Sequence, residues 1–368
     1  MPAMLIRTLA SLLLCMALSA GAHAPGAPGA PPHHRGGHFQ NNHLDFEPKG
    51  LLALTQWRLQ ALREGLPRPP QTPTPVVAPD LAFLRANAQA GASALPTATW
   101  IGHATVLVQL PTAQGVVHLL TDPIFAERAS PLAFIGPKRA QPPGIALADL
   151  PHIDLVVVSH NHYDHLDAAS LLALNAQPGR PPLFVVPLGN KAWLQDAGIA
   201  NAVELDWWQS HTLGEVQVML TPVQHWSGRT LTDRLKTLWG GYAITSAHFH
   251  VFHAGDTGYS ADFVATRERL APLQKDGGFD LALIPIGAYE PRWFMASQHV
   301  NPAEALQIHR DLGAKQSLGM HWGTFELTDE SLDEPPRELA RVRQAAGVSE
   351  NDFFVLAVGQ TKRFAPRR

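Results

Sequence analysis

Cysteine is almost absent: the only one, Cys15, lies in the first 24 of 368 residues. That opening stretch, MPAMLIRTLASLLLCMALSAGAHA, puts Arg7 before an apolar run from Leu9 to Leu18, then Ala20-Gly21-Ala22. This is the layout of a secretory signal cleaved after Ala22 or Ala24. A lipoprotein anchor at Cys15 does not fit, because Leu12-Leu13-Leu14 lack the small residues such a site needs. An uncleaved anchor helix is the alternative. Cleavage leaves a chain without cysteine, which excludes disulfides and thiolate metal sites. Metal ligands must then be His and carboxylate. The expected location is exported, periplasmic or secreted, peripheral to a membrane.

Charge is also sparse, at 16% of residues with a net of -3, so no basic excess invites nucleic acid. No apolar run beyond the leader is long enough to span a bilayer. The abundant residue is histidine, with 19 copies, beside 9 tryptophans. The length allows one large domain or two ordinary ones.

Residues 25–50 are rich in Pro, Gly and His, too poor in apolar groups for a core, and read as a flexible arm. Its histidines His33, His34, His38 and His43 could scavenge metal, but the expectation is that they are solvated. Residues 51–97 read as a helix and a Pro-rich extension. The helix, at 51–66, gains an apolar side from Leu51, Leu54, Trp57, Leu59 and Leu62, expected to pack on its own domain, and the Pro-rich run 67–79 ends it. From residue 98 the texture is β-rich: TWIGHATVLVQL, GVVHLLTDPIF, IDLVVVSH, PLFVVP, EVQVMLTPVQH, HFHVFHAGD, DLALIPIG and KQSLGMHWG read as strands running into loops. Helical patterns intervene at 166–174, 261–270 and 302–312. The expectation is a layered α/β domain over 98–368 with helices outside and the N-terminal segment laid against it.

Four candidate ligands crowd into SHNHYDHLD, residues 159–167: His160, His162, Asp164 and His165. His160 and His162 alternate as on extended chain and can share one metal. Asp164 and His165 sit at a helix start, available to a second. Other strands run into His225, Asp256 and His321, and ligands at strand ends can converge on one sheet edge. Seven such groups fit two metals sharing a carboxylate, whereas one tetrahedral zinc would leave three idle. Isolated histidines such as His118 and His309 read as structural.

HxHxDH followed by a strand-end His, an Asp and a last His resembles the metallo-β-lactamase superfamily. The resemblance implies an αββα sandwich with the metal site at one edge of the two sheets. It assigns His160, His162 and His225 to one metal, Asp164, His165 and His321 to the other, and Asp256 as the bridge. Asp122, in LLTDP, matches the superfamily's supporting Asp, and His103, in WIGHATV, is expected to act indirectly too. Longer motifs, TWIGHATVLVQ, PVQHWSGRT, LWGGYAI, AGDTGY, PIGAYEPRWFM, QHVNPAEA and MHWGTF, resemble the branch of N-acyl-phosphatidylethanolamine-hydrolysing phospholipase D over residues 98–336. The leader and the His/Pro-rich arm depart from the animal enzyme.

The resemblance implies a phosphoric diester hydrolase of D type that releases N-acylethanolamine and phosphatidic acid. Two divalent ions about 3.5–4 Å apart would generate the hydroxide that attacks phosphorus. Asp256, Asp164 and His321 are the catalytic candidates. Zinc, two ions per chain, suits imidazole-rich ligands, with iron or manganese as alternatives. Tyr163, Gln298, His299 and Tyr289 are candidate substrate contacts, with Trp293, Phe294 and Met295 lining an acyl groove. Arg229 and Arg234 are candidates for pairing with phosphate. Expected partners are a phospholipid or other phosphodiester, a membrane surface and a second copy in a homodimer. The alternatives are a lactonase or another phosphodiesterase on this fold, and a non-catalytic metal-binding envelope protein.

Overall fold

The computed structural model describes residues 29–230, 232–274 and 277–367; the leader at 1–24 lies outside them. A hairpin comes first, β1 (His34–Arg35) and β2 (His38–Phe39), and then β3 (Thr97–Gly102), β4 (Thr105–Thr112), β5 (Gly115–Thr121), β6 (Leu155–Val157), β7 (Leu183–Pro187) and β8 (Ala202–Leu205). There follow β9 (Ser210–Leu213), β10 (Val216–Thr221), β11 (Gly241–Thr245), β12 (His250–His253), β13 (Leu281–Pro285), β14 (Gln316–Met320), β15 (Phe353–Phe354) and β16 (Thr361–Arg363). One sheet runs β16-β3-β4-β5-β6-β7-β8, the other β15-β14-β13-β12-β11-β10-β9. Each is antiparallel on one side and parallel on the other, changing at the β5–β6 and β12–β13 pairs.

The run LVVV at 155–158 shows why the sheets stack. Leu155 and Val157 join the core between the two sheets, while Val156 and Val158 join the cluster on the outer face. Alternate side chains point to opposite faces, so a strand covered on both must be apolar throughout. The helices are α1 (Leu51–Glu64), α2 (Leu81–Ala88), α3 (Ala168–Asn175), α4 (Lys191–Asp196), α5 (Asp262–Leu270), α6 (Arg292–Met295), α7 (Pro302–Leu312) and α8 (Glu334–Ala346). Leu171 and Leu174 of α3 and Leu194 of α4 cover the outer face. The helix α7 starts at a capping box between Asn301 and Glu304 and stops at Gly313, whose left-handed backbone suits glycine. The result is the metallo-β-lactamase α/β sandwich. No helix of the described residues is long and apolar enough to cross a membrane.

Two expectations need correction. In α1 the buried residues are Trp57 and Ala61, packed on Phe294 and Met295. The leucines face outward instead, Leu52 being 88% and Leu62 78% exposed. The indole decides the rotation: Trp57 packs at 4.8 Å from the Phe294 ring and donates Nε1–H to Asp329. Gly65, in a left-handed conformation, ends the helix before the proline run begins. The N-terminal segment lies against the domain, with His33 buried and His34 half-buried rather than solvated, while His43 is exposed as expected. His33 and Asn41 are buried, and the Phe39 amide donates to the Leu235 carbonyl at 2.8 Å.

Candidate metal centre

The strands β6, β10, β12 and β14 each run into a loop carrying candidate ligands: His160 and His162, His225, Asp256, and His321. Asp164 and His165 precede α3. All seven converge at one edge of the sandwich. Parallel strands share their C-terminal edge, which is why β12 and β14, on either side of β13, deliver the loops of Asp256 and His321 to one place.

Asp256 is central. Its Oδ2 lies 3.8 Å from His160 Nε2, 3.9 Å from His225 Nε2 and 3.1 Å from His165 Nε2, while Oδ1 lies 3.0 Å from His321 Nε2. On one side, His162 Nδ1 sits 2.8 Å from His160 Nε2 and 3.3 Å from His225 Nε2. On the other, Asp164 Oδ2 lies 3.5 Å from His321 Nε2 and 3.6 Å from His165 Nε2. His165 Nε2, His321 Nε2 and Asp256 Oδ1, all on the cluster side, are buried without a hydrogen-bond partner. Buried polar atoms are rarely left so, and imidazole nitrogens with carboxylate oxygens turned inward are what a divalent cation satisfies.

The imidazoles are aimed from behind. Ser159 donates its hydroxyl to Asp122 Oδ2 at 2.8 Å, so its oxygen accepts from His160 Nδ1 at 2.9 Å and leaves Nε2 facing the cluster. His165 donates Nδ1–H to Asp122 at 2.8 Å, and His225 donates Nδ1–H to the Gln298 carbonyl at 2.9 Å. Each second nitrogen is thereby fixed as a lone pair toward the centre. Asp122 also accepts from His253 Nε2 at 2.8 Å. Burial alone would raise the Asp122 carboxyl, but His253 and His165 hold it below the usual carboxylate range. Asp122, His103 and His321 all have positive φ, at 36°, 55° and 62°. Such backbone is sparsely populated by non-glycine residues and collects at functional sites.

Burial and neighbouring rings hold His160 well below the imidazole range, and burial, outweighing Asp164 and Asp256, lowers His162 to about 4. Burial would lower His165 and His321 too, but Asp256 and Asp164 outweigh it and raise them, His321 to about 9. The carboxylates therefore recruit positive charge into the centre.

The remaining candidates divide. His103 Nε2 lies 3.0 Å from Asp164 Oδ2 and supports it. His299 joins the cluster, its unpartnered Nδ1 at 3.9 Å from Asp256 Oδ2. Gln298 reaches the site through its carbonyl, because its side chain is held by Trp226 Nε1 at 2.6 Å and Met295 Sδ at 3.2 Å. The Tyr289 hydroxyl donates to Glu334 at 2.9 Å, and Phe294 and Met295 pack under α1. Tyr163 lines a neighbouring cavity of about 500 Å³ with Trp193 and Arg229. The Arg229 guanidinium stacks on the Tyr163 ring at 4.0 Å and donates to the Asn161 and Leu166 carbonyls, so it ties down the ligand loop. Arg234 lies over Trp226 at 5.8 Å. His118 contacts Gln109 and Asp154, and His309 contacts Ser317, both away from the centre.

Two residues went unremarked in the sequence. His253, only three positions before Asp256 in HFHVFHAGD, carried a readable signal. Asn41 carried none: its amide brackets the backbone of His225, donating to the carbonyl at 2.9 Å and accepting from the N–H at 3.0 Å.

Residues 118–322 match the Beta-lactamase superfamily domain. The chain is 42% identical over 275 residues to N-acyl-phosphatidylethanolamine-hydrolyzing phospholipase D 1 of Caenorhabditis elegans, covering 72% of this chain and 74% of that one. An uncharacterized protein of Mycobacterium tuberculosis is 36% identical over 320 residues, 84% of this chain and 78% of its own. Among solved structures, isothiocyanate hydrolase from Delia radicum gut bacteria superposes with a TM-score of 0.56 at 20% identity, over 73% of this chain and 99% of that one. Sandwich, buried His/Asp cluster and relatives agree: the chain belongs to the metallo-β-lactamase superfamily, in the branch of N-acyl-phosphatidylethanolamine-hydrolysing phospholipase D.

Proposed function

We propose that this hydrolase cleaves N-acyl-phosphatidylethanolamine or a closely related phosphodiester, releasing N-acylethanolamine and phosphatidic acid. The observation that carries this reading is the buried cluster around Asp256 in a chain 42% identical to an enzyme named for that reaction. His160, His162 and His225 would hold one divalent ion, Asp164, His165 and His321 a second, with Asp256 shared. Zinc is the proposed metal. Two such ions supply Lewis acidity at the phosphoryl oxygen and make water acidic enough to attack near neutral pH.

The protein's own groups do the rest. Asp122 and Ser159 fix the tautomers of His165 and His160, and the Gln298 carbonyl fixes His225. His299, lowered by burial to about 4, is neutral at pH 7 and holds Nδ1 3.9 Å from Asp256 Oδ2, available to a substrate bound at the cluster. The exposed side chains of Leu52 and Leu62 on α1, and of Phe134 and Ile135 next in sequence to Ala133, which lines the Tyr163 cavity, support contact with a lipid surface. Export through the leader is part of the proposal and rests on the composition of residues 1–24.

The test incubates zinc-loaded protein with N-acyl-phosphatidylethanolamine in mixed micelles and quantifies both products by mass spectrometry, with lactones in parallel and iron and manganese as alternative metals. Release of both products, lost in Asp256→Asn, supports the reading. Lactone opening without lipid turnover refutes it.

A further inference from the structure

We propose that His33, His34 and Asp206 form a binding site for one divalent transition-metal ion, which clamps the N-terminal segment to the domain. These residues belong to none of the groups around Asp256, and their donor atoms lie within 4.8 Å of one another. His33 Nε2 is 2.7 Å from Asp206 Oδ1 and His34 Nε2 is 2.8 Å from Oδ2. Consecutive residues of a strand point to opposite faces. Here the turn leading into β1 brings both rings onto one carboxylate, with centroids 4.6 Å apart and planes at 77°.

Two of the three donors are set in place. Asp206, just after β8, accepts the Trp207 amide at 2.8 Å, and its own amide donates to Gln209 Oε1 at 3.0 Å. The His33 ring stacks on the Trp207 indole at 4.3 Å, and that indole donates to the Trp239 carbonyl at 2.7 Å. Burial lowers His33 below the usual imidazole range and favours the neutral ring a metal takes. The His34 side chain is 28% exposed, so this is the side where the site can open and where solvent can complete the coordination.

The spacing is that of the main centre, where His160 Nε2 and His162 Nδ1 are also 2.8 Å apart. Tetrahedral zinc, with bonds of about 2.0–2.2 Å, places donors about 3.3 Å apart. Outward shifts of about 0.5–0.6 Å by His34 and His33, now 2.8 and 2.7 Å from the Asp206 carboxylate, therefore admit the ion. Two imidazoles with one carboxylate select zinc, copper or nickel over calcium or magnesium. The clamped segment continues to Asn41, which grips His225, and to Asn42, which donates to Asp262 at 2.8 Å. The clamp thus reaches the backbone of a main-centre histidine without sharing a donor with that centre. It stands independently of the substrate proposed above.

The experiment strips the protein with chelator, reloads it with zinc, removes free metal and counts bound zinc by mass spectrometry. It compares the wild type with His34→Gln, Asp206→Asn and Asp256→Asn, and follows proteolysis of the segment 29–50 with and without zinc. The expected result is one zinc fewer in His34→Gln and in Asp206→Asn than in the wild type. Zinc should also slow cleavage of the segment in the wild type and in Asp256→Asn but not in His34→Gln. Equal zinc content in wild type and His34→Gln overturns the proposal. Because Asp206 also shapes its own loop, the wild-type proteolysis stands as a separate measurement: cleavage of the segment at the same rate with and without zinc overturns the proposal as well.

Discussion

Replacing Asn41 with Ala removes a residue that touches no candidate-ligand side chain, yet it should weaken the centre. Asn41 is 4% exposed and brackets the His225 backbone through both amide atoms. Its Oδ1 also accepts from Trp239 Nε1 at 3.2 Å, but that indole keeps the Val223 carbonyl at 3.0 Å. Truncation therefore strands the N–H and C=O of His225. At about 1–3 kcal/mol for each stranded buried group, folding should lose about 2–6 kcal/mol. Urea unfolding of metal-stripped protein reads this directly as a lower midpoint with an unchanged slope. Loosening a ligand from behind typically costs about 10–100-fold in metal affinity or activity, so zinc competition with a chelator and kcat/KM should fall in that range. Asn41→Asp keeps the acceptor for the His225 N–H but turns an oxygen toward its carbonyl, and should do no better. A variant within about 0.5 kcal/mol of wild type that holds zinc equally well would refute the reasoning.

Three further outcomes follow from the same geometry. Asp122→Asn offers an amide where Oδ2 receives Ser159, His165 and His253, so zinc affinity should fall about 10–100-fold by chelator competition. Trp57→Ala should lose about 3–5 kcal/mol in urea unfolding as a buried aromatic, whereas Leu62→Ser on the outward face of the same helix should stay within about 0.5 kcal/mol. Burial and then Arg367 lower His250 from 6.5 to about 4. The folded state therefore binds fewer protons than the unfolded one between those values. Stability should fall as pH drops from 6.5 towards 4 and level off below; denaturation across that range, with His250→Asn lacking this component, measures it.

The sequence carries the site better than its surroundings, for physical reasons. SHNHYDHLD announces itself because four donors on a strand-to-helix loop are local in the chain. His225, Asp256 and His321 were readable because each ends an apolar run, and strand ends share an edge. Asn41 was unreadable, since its partner is 184 positions away and a lone Asn has no pattern. The face of α1 was misread because leucine spacing counts apolar residues without saying which of them meets a partner; one indole with an aromatic neighbour and a carboxylate acceptor outweighed several leucines. Gln298 and Tyr289 stand in motifs that suggested substrate contact, but their polar side-chain atoms are engaged by Trp226 and Glu334. A hydrogen-bond partner far along the chain is the information a motif omits.

The measurement closest to the central claim is hydrolysis of N-acyl-phosphatidylethanolamine in ¹⁸O-labelled water by the zinc-loaded protein. Attack at phosphorus beside Asp256 predicts one ¹⁸O in phosphatidic acid and none in N-acylethanolamine, with both products lost in Asp256→Asn. Label in the N-acylethanolamine hydroxyl, or products that persist in Asp256→Asn, would contradict it.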